Sequence, residues 1–383
     1  MTRGCRRLVL AGVLLGFLGG GPSLAAEPNS RLASLPDNTA VDLGPYTCNA
    51  PADDPFRCET ITDYSGFVYD GVNHQMLMFG GGHSATHRTD VDAFSVKTLT
   101  WSSAYPSTLC RDMRLSNRGL VRGDWLTSGH PIARHTYDML VWADNVKRLL
   151  LLGDISGQGY CVEKSPPDKE LYFLVGKIAM YDPAERTWSY SPLNNDGWED
   201  FASAEYDPIS GLVIVVDRYS VWTYDPVKQT RTKRLAYVNG AMGYAKNLVY
   251  FPPTRKMYYI ADGAVVFELD SRLNLKQVSG ITGDIPKLAE TGFAYDAVNQ
   301  VIGGGVSQGV LYAYDPVRKT WASRVMKTLP AGERVGTVAF HAHAYDPVNN
   351  VFIFITDAES GRRTWAYRYA TGRDGSGQSA PSR

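Results

Sequence analysis

FVYDGVNHQMLMFGGG, residues 67–82, is the stretch that decides the fold. A short apolar run ends in Asp70, a polar turn follows, and a second apolar run ends in glycines. That pattern is a β-hairpin. The same pattern returns as MLVWADNVKRLLLLGD (139–154), AEYDPISGLVIVVD (204–217), LVYFPPTRKMYYIAD (248–262), GFAYDAVNQVIGGG (292–305) and AHAYDPVNNVFIFITD (342–357). An aromatic residue marks each copy: Tyr69, Trp142, Tyr206, Tyr250, Tyr295 and Tyr345. A supersecondary unit repeated at intervals of tens of residues buries its apolar face against copies of itself.

A second hairpin follows each of the first five. These are VDAFSVKTLTW (91–101), GKIAMYDPAERTWSY (176–190), YSVWTYDPVKQTRTK (219–233), GAVVFELDSRLNLKQV (263–278) and GVLYAYDPVRKTW (309–321). Two hairpins make one four-stranded antiparallel propeller blade. The sixth copy, TWAYRYATG (364–372), stops after one strand. Its fourth strand is expected from Thr39–Leu43, which joins the first blade to the last and removes the open edges. The fold expected is therefore all-β: a six-bladed β-propeller of four-stranded antiparallel blades, closed by an N-terminal strand. Seven blades remain the alternative if 102–135 or 155–175 hides a weak one. Apolar runs of this length are too short for core helices. GGGHS and GGGVS lack the strand–helix setting of a dinucleotide loop.

Residues 1–25 read as a signal peptide: Arg3, Arg6 and Arg7, then the apolar Leu8–Leu18, then Ser23-Leu24-Ala25. The apolar core is too short to span a bilayer, and Cys5 precedes it, which argues against a lipidated cysteine. The expected organisation is one propeller domain over 26–371 and an apolar-poor tail over 372–383, in a secreted or periplasmic, monomeric protein that does not bind membranes. Cys48, Cys58, Cys110 and Cys161 remain after the signal. An even count in an exported chain suggests disulfides, and three pairings are open. Proximity favours Cys48–Cys58, which leaves Cys110–Cys161. The chain balances 39 basic against 39 acidic residues. Such a balance argues against a nucleic-acid partner but leaves room for a focused basic cleft.

MFGGG (78–82), IGGG (302–305) and the YDP…TW pattern at 181–188 and 314–321 resemble the kelch-type propellers, the group that includes the central domain of galactose oxidase. Gly153-Asp154, Asp217, Asp262 and Asp357 stand in place of the glycine doublet in the other four blades. Within this fold, the copper radical oxidases need two histidines, two tyrosines and a cysteine crosslinked to tyrosine. No cysteine here matches that position. The other branch resembles secreted propeller polysaccharide lyases, which use His, Tyr and Arg near one mouth of the channel. His83, Arg134, His135 and Arg218 are of those types, although no lyase motif matches residue by residue.

In a propeller, the loop after strand two and the loop into the next blade share one face, where sites are usually built. His83, His87 and Arg88 fall there in blade one, and Arg134, His135 and Tyr160 in blade two. Arg218 and Tyr219 follow in blade three, Asn239 and Tyr244 before blade four, and Glu290 before blade five. His341 and His343 alternate onto one face of the last inner strand and form a candidate metal pair. The catalytic candidates are His83, His135, Arg218 and Tyr244. The substrate-binding candidates are His87, Arg88, Arg134, Tyr160, Tyr219, Asn239 and Glu290. Asp154, Asp217 and Asp262 read as turn braces and His74 as an exposed turn residue.

Together these types suit β-elimination on an acidic polysaccharide. Removing the proton beside a uronate carboxylate builds negative charge that a planar arginine fork can hold. A tyrosine or histidine takes the proton. That chemistry needs no cofactor, though a divalent metal would be compatible with it. The rival readings are a non-catalytic carbohydrate- or protein-binding propeller, and a glycoside hydrolase or metal-dependent oxidase. A hydrolase would need a carboxylate pair, drawn from Glu199, Asp200, Glu205 and Glu290.

Overall fold

Most of the repeated turns are folded by the aspartate that opens them. In the computed structural model, Asp70 Oδ1 accepts from the backbone N–H of Val72 and Asn73 at 2.9 and 3.2 Å. Asp225, Asp296 and Asp315 accept from the same two positions of their own turns. Such a carboxylate mimics a backbone turn and fixes its start. The turns then end on a residue in the left-handed region: His74, Lys147, Gln229, Gln300, Lys319 and Asn350, all with φ between 52° and 57°. His74 is half-buried and its Nδ1 lies 2.9 Å from Tyr69 Oη, so it is not the free surface residue expected. The residues described are 26–47, 49, 52–53, 64–80, 88–112, 128–131, 134–152, 177–194, 202–217, 219–235, 246–286, 292–307, 309–330, 342–358 and 361–371.

The hairpins pair into six sheets. The innermost strands are Phe67–Asp70, Leu140–Ala143, Ser203–Asp207, Asn247–Phe251, Phe293–Asp296 and His343–Asp346. Each is followed outward by three antiparallel strands, in blade one Gln75–Phe79, Val91–Ser95 and Thr100–Tyr105. In blade six the outermost strand is the N-terminal one. Thr39–Pro45 pairs antiparallel with Gly361–Arg368, slightly longer than the segment expected. Blade five departs from the four-strand rule, because Thr282–Gly283 adds a parallel fifth strand outside Thr320–Val325.

Alternation along each strand sends side chains to both faces of a blade, so the core is divided into seams between blades. Met139, Val141, Leu150, Val213 and Tyr224 fill the seam between blades two and three. Leu77, Phe79, Leu140 and Leu149 fill the one between one and two. The closing strand lies in the largest cluster, with Leu43 and Tyr46 packed among Phe94, Phe354 and Trp365.

The expected disulfide framework is corrected. Cys48, Cys58 and Cys161 lie outside the described residues, and among the described residues no disulfide bond is present with both of its ends. Cys110 is the described cysteine and is disulfide-bonded. Neither expected pairing stands on these residues. Among the described residues, no helix is long and apolar enough to cross a membrane.

Candidate functional site

The six innermost strands surround a channel cavity of about 560 Å³. Its two ends differ. At the turn-bearing end two of the marker aromatics lie close to the turn acids of the preceding blade, Tyr69 to Asp346 and Tyr345 to Asp296. The Tyr69 Oη lies 2.9 Å from His74 Nδ1, and Tyr345 Oη donates to Asn350 Oδ1 at 2.9 Å. Burial raises both phenols far above their usual range, with those carboxylates adding to it. This end is a structural belt. Blade four carries Phe251 where blades one, three, five and six carry aspartate, and there Tyr295 packs edge-on against that ring instead.

The opposite, loop-bearing end is stitched by side chains that reach into other blades. Thr136 Oγ1 accepts from Gly66 N at 2.6 Å, Asp138 Oδ2 from Leu248 N at 2.7 Å, and Asn247 Oδ1 from Phe293 N at 3.1 Å. Asp138 also offers its backbone carbonyl to Ala204 N. Burial lifts the Asp138 carboxyl well above the carboxylate range, and Glu205 adds to it. Glu205 lines the same channel half-buried, and burial pushes its carboxyl up to about 8. Glu205 is therefore mostly protonated at pH 7 and able to donate a hydrogen bond.

Beside them lies a His–Tyr pair. His135 Nδ1 is 3.2 Å from Tyr137 Oη, and Tyr137 lines the channel. Tyr64 stacks on the imidazole with ring centroids 4.6 Å apart and meets Tyr137 edge-on. The backbone holds this cluster rigidly, since Thr136 and Tyr137 both donate to Tyr64 O. Gly80 makes room for it. At φ +61°, with a Cβ position only 2.6 Å from Arg134 O, this residue has to be glycine. That is the structural content of the first glycine in MFGGG. Two cations, Arg134 and Lys246, are buried at the start of blades two and four.

Of the four residues expected to converge as catalytic groups, His135 is the one described. His83, Arg218 and Tyr244 lie outside the described residues, as do His87, Tyr160, Asn239, Glu290, His341, Glu199 and Asp200. Arg88 is not placed for substrate. It is fully buried, bonded to Asp90 and Asp92 and donating to Tyr46 Oη at 2.6 Å. Burial pushes Asp90 up to about 7 against the pull of Arg88. Asn49 Nδ2 donates to Asp92 Oδ1 at 2.6 Å, so this cluster ties the segment after the closing strand to blade one. Tyr219 is 54% exposed beside Asp217, whose carboxylate braces the turn by accepting from Tyr219 N, Ser220 N and Trp222 Nε1.

His343 lines the channel but is buried in aromatic contacts. It stacks 5.0 Å from Phe352 and reaches Gly303 O through Nε2 at 3.2 Å. Burial depresses its imidazole to about 4, so the ring is neutral. Among the described residues no group of three His, Cys, Asp or Glu is arranged to hold a metal ion.

Four further groups escaped the sequence reading. Tyr64, Tyr137 and Asp138 lie in ordinary-looking segments between hairpins. Only their place next to an inner strand could have marked them. His130 is the fourth: its Nδ1 lies 2.8 Å from Thr108 Oγ1, which meets Ser128 Oγ at 2.9 Å. Burial lowers this imidazole.

No protein-family model matches the chain, and no curated protein matches it. Three solved structures resemble it in outline. A Bacteroides thetaiotaomicron protein of unknown function is 11% identical with a TM-score of 0.49, over 88% of this chain and 73% of that one. An oligogalacturonate lyase in complex with manganese is 12% identical with a TM-score of 0.44, over 80% and 77%. An auxiliary nutrient-binding protein from Bacteroides thetaiotaomicron is 11% identical with a TM-score of 0.48, over 89% and 75%. Likenesses at this level transfer no residue roles.

Proposed function

We propose that the protein is an exported, carbohydrate-processing propeller that cleaves a uronate-containing polysaccharide by β-elimination at the loop-bearing mouth of its channel. The observation that carries this reading is the hydrogen-bonded pair of His135 and Tyr137, set among buried cations and carboxyls that burial raises. A tyrosine hydroxyl backed by an imidazole can pass a proton in either direction. In the proposed reaction this pair takes the proton beside the uronate carboxylate. The electron pair forms the ring double bond, the adjacent glycosidic C–O bond breaks, and the leaving oxygen is protonated.

Charge developing on the carboxylate needs positive potential or hydrogen-bond donors at the same place. Arg134 and Lys246 supply the first, and the protonated Glu205 supplies the second. Arg218, the residue after the well-braced Asp217, is assigned to the carboxylate itself. The reaction as proposed calls on no cofactor.

One observation favours a second reading. Asp138 and Glu205 are interacting carboxyls in one channel, the kind of pair a glycoside hydrolase needs. Ultraviolet absorbance of the new double bond, measured beside reducing ends on a panel of uronate polymers, separates the two. Absorbance that rises in step with reducing ends supports elimination. Reducing ends without absorbance support hydrolysis and overturn the proposal.

A further inference from the structure

The outer edge of blade three differs from every other blade edge. The fourth strands of blades one, two and five begin Thr-Trp: Trp101, Trp188 and Trp321. In blade three the strand Thr230–Leu235 reads TRTKRL, with Arg231 in the tryptophan's place and Lys233 and Arg234 following. The strands Thr100–Tyr105 and Thr187–Asn194 carry no charged residue, and Thr320–Val325 carries one. Charges on an edge strand guard it against pairing with another chain, but the other edges manage with none or one.

The cations of this edge are also gathered rather than dispersed. Trp222 is on the neighbouring strand, paired with Lys233 in register. The Lys233 ammonium sits 4.9 Å from the Trp222 ring centroid and the Arg231 guanidinium 5.3 Å from it. Both lie within cation–π reach. The indole N–H donates to the buried Asp217 carboxylate at 3.0 Å, which enriches the ring in electron density. Two like charges are thus held on one ring at a surface, and Arg234, paired with Val221, extends from the other face of the same edge strand. Thr232, Lys233 and Arg234 are exposed, and neither Lys233 nor Arg234 makes an ion pair among the described residues.

The strand climbs toward the loop-bearing face. Leu235 at its upper end pairs with Ser220, directly after the exposed Tyr219. A row of cations ending in an exposed aromatic ring fits a chain that carries regular negative charge and flat sugar faces. A membrane-docking surface would pair its cations with an apolar face to bury, whereas the residues alternating with these cations are threonines.

We infer that Arg231, Lys233 and Arg234, with Tyr219 above them, form a docking strip for an acidic polysaccharide, apart from the channel mouth and leading to it. The strip takes its polymer class from the proposed reaction, but its binding can be tested without turnover. The probe is polygalacturonate, cast in a native gel, against neutral dextran and against vesicles of phosphatidylglycerol. Wild type should be retarded by polygalacturonate, less so as salt rises, and unaffected by dextran. The triple variant R231Q/K233Q/R234Q should lose about tenfold in apparent affinity, the scale on which rim charges act. Arg234→Gln alone, which leaves the Trp222 contacts intact, should lose part of this, and melting curves should show both variants folded.

Where turnover occurs, the triple variant should raise KM on the polymer and leave a short uronate oligomer unaffected. Retardation equal in wild type and triple variant overturns the strip, as does no retardation of wild type. Equal binding to phosphatidylglycerol vesicles overturns the choice of a polysaccharide. Charge-dependent retardation without any elimination product keeps the strip and rejects the reaction. Elimination with an unaltered triple variant does the reverse.

Discussion

Trp101 Nε1 donates to Thr364 Oγ1 at 2.7 Å, across the seam between the first blade and the last. The indole also packs against Tyr46, Phe67 and Phe94, with centroids 4.6, 6.0 and 5.3 Å away. One side chain therefore joins the closing segment, blade one and blade six. Trp101→Phe removes the donor and leaves the buried Thr364 hydroxyl to find another partner. We expect a loss of about 2 kcal/mol, measured by denaturant unfolding, with wild-type secondary structure.

Deleting Thr39–Pro45 has a larger effect by a different route. Gly361–Arg368 would then be an open edge with unpaired backbone groups. We expect loss of the cooperative thermal transition and association through that edge, visible by size-exclusion chromatography. A monomer with an unchanged melting curve would show that closure does not rest on this strand.

The Arg88 cluster gives a third prediction. Arg88→Met strands Asp90 and Asp92 in the core without their counter-charge. Breaking a buried pair from one side costs roughly 3–5 kcal/mol. The circular dichroism melt should fall accordingly. Arg88→Met with Asp90→Asn and Asp92→Asn should recover much of the loss, because no buried charge is then left alone.

Much of this architecture can be read in the chain because it rests on local chemistry. An aspartate that caps its own turn, an aromatic before it and an apolar run after it are neighbours in sequence, so they repeat visibly. The closing strand was legible from the unfinished sixth blade. The site is not local in this sense. Asp138 bonds Leu248 two blades away, and Tyr137 meets Tyr64 from the blade before. Nothing in either segment signals the other. Arg88 misled for a related reason: its residue type suggested substrate, while Arg88, Asp90 and Asp92 recur at every second position of an extended segment. That spacing puts them on one face, where they neutralise one another.

Acids raised by burial, namely Asp90, Asp138, Asp296, Asp346 and the half-buried Glu205, dominate the pH dependence of stability. Asp90 and Glu205 titrate in the fold near 7 and 8, and the others are raised as well. In the unfolded chain all of them release their protons near pH 4. Between about pH 4 and 8 the folded state holds more protons, so stability falls as pH rises through that window. The melting temperature should drop from pH 5 to pH 8 and level off above it. Glu205→Gln should flatten the upper part of the slope, by a modest amount because channel water reaches Glu205. A melting temperature that climbs from pH 5 to 8 would contradict these assignments.

At the mouth, Tyr137→Phe removes the hydroxyl and keeps the ring against Tyr64. Turnover should fall at least about 100-fold, the usual scale for losing a proton-transfer group, with little change in KM or in melting. His135→Ala should lose as much and shift the pH profile of kcat. Full activity in both folded variants would move the chemistry away from this pair.

Elimination and hydrolysis differ by one molecule of water, and that gives the most direct measurement of all. Polygalacturonate and other uronate polymers are cleaved by the wild-type protein in water enriched in heavy oxygen, and the new ends are weighed by mass spectrometry. The account predicts products that carry a double bond and no heavy oxygen, formed by wild type and not by Tyr137→Phe. Products carrying one heavy oxygen and no double bond, or no cleavage of any uronate polymer, would contradict it.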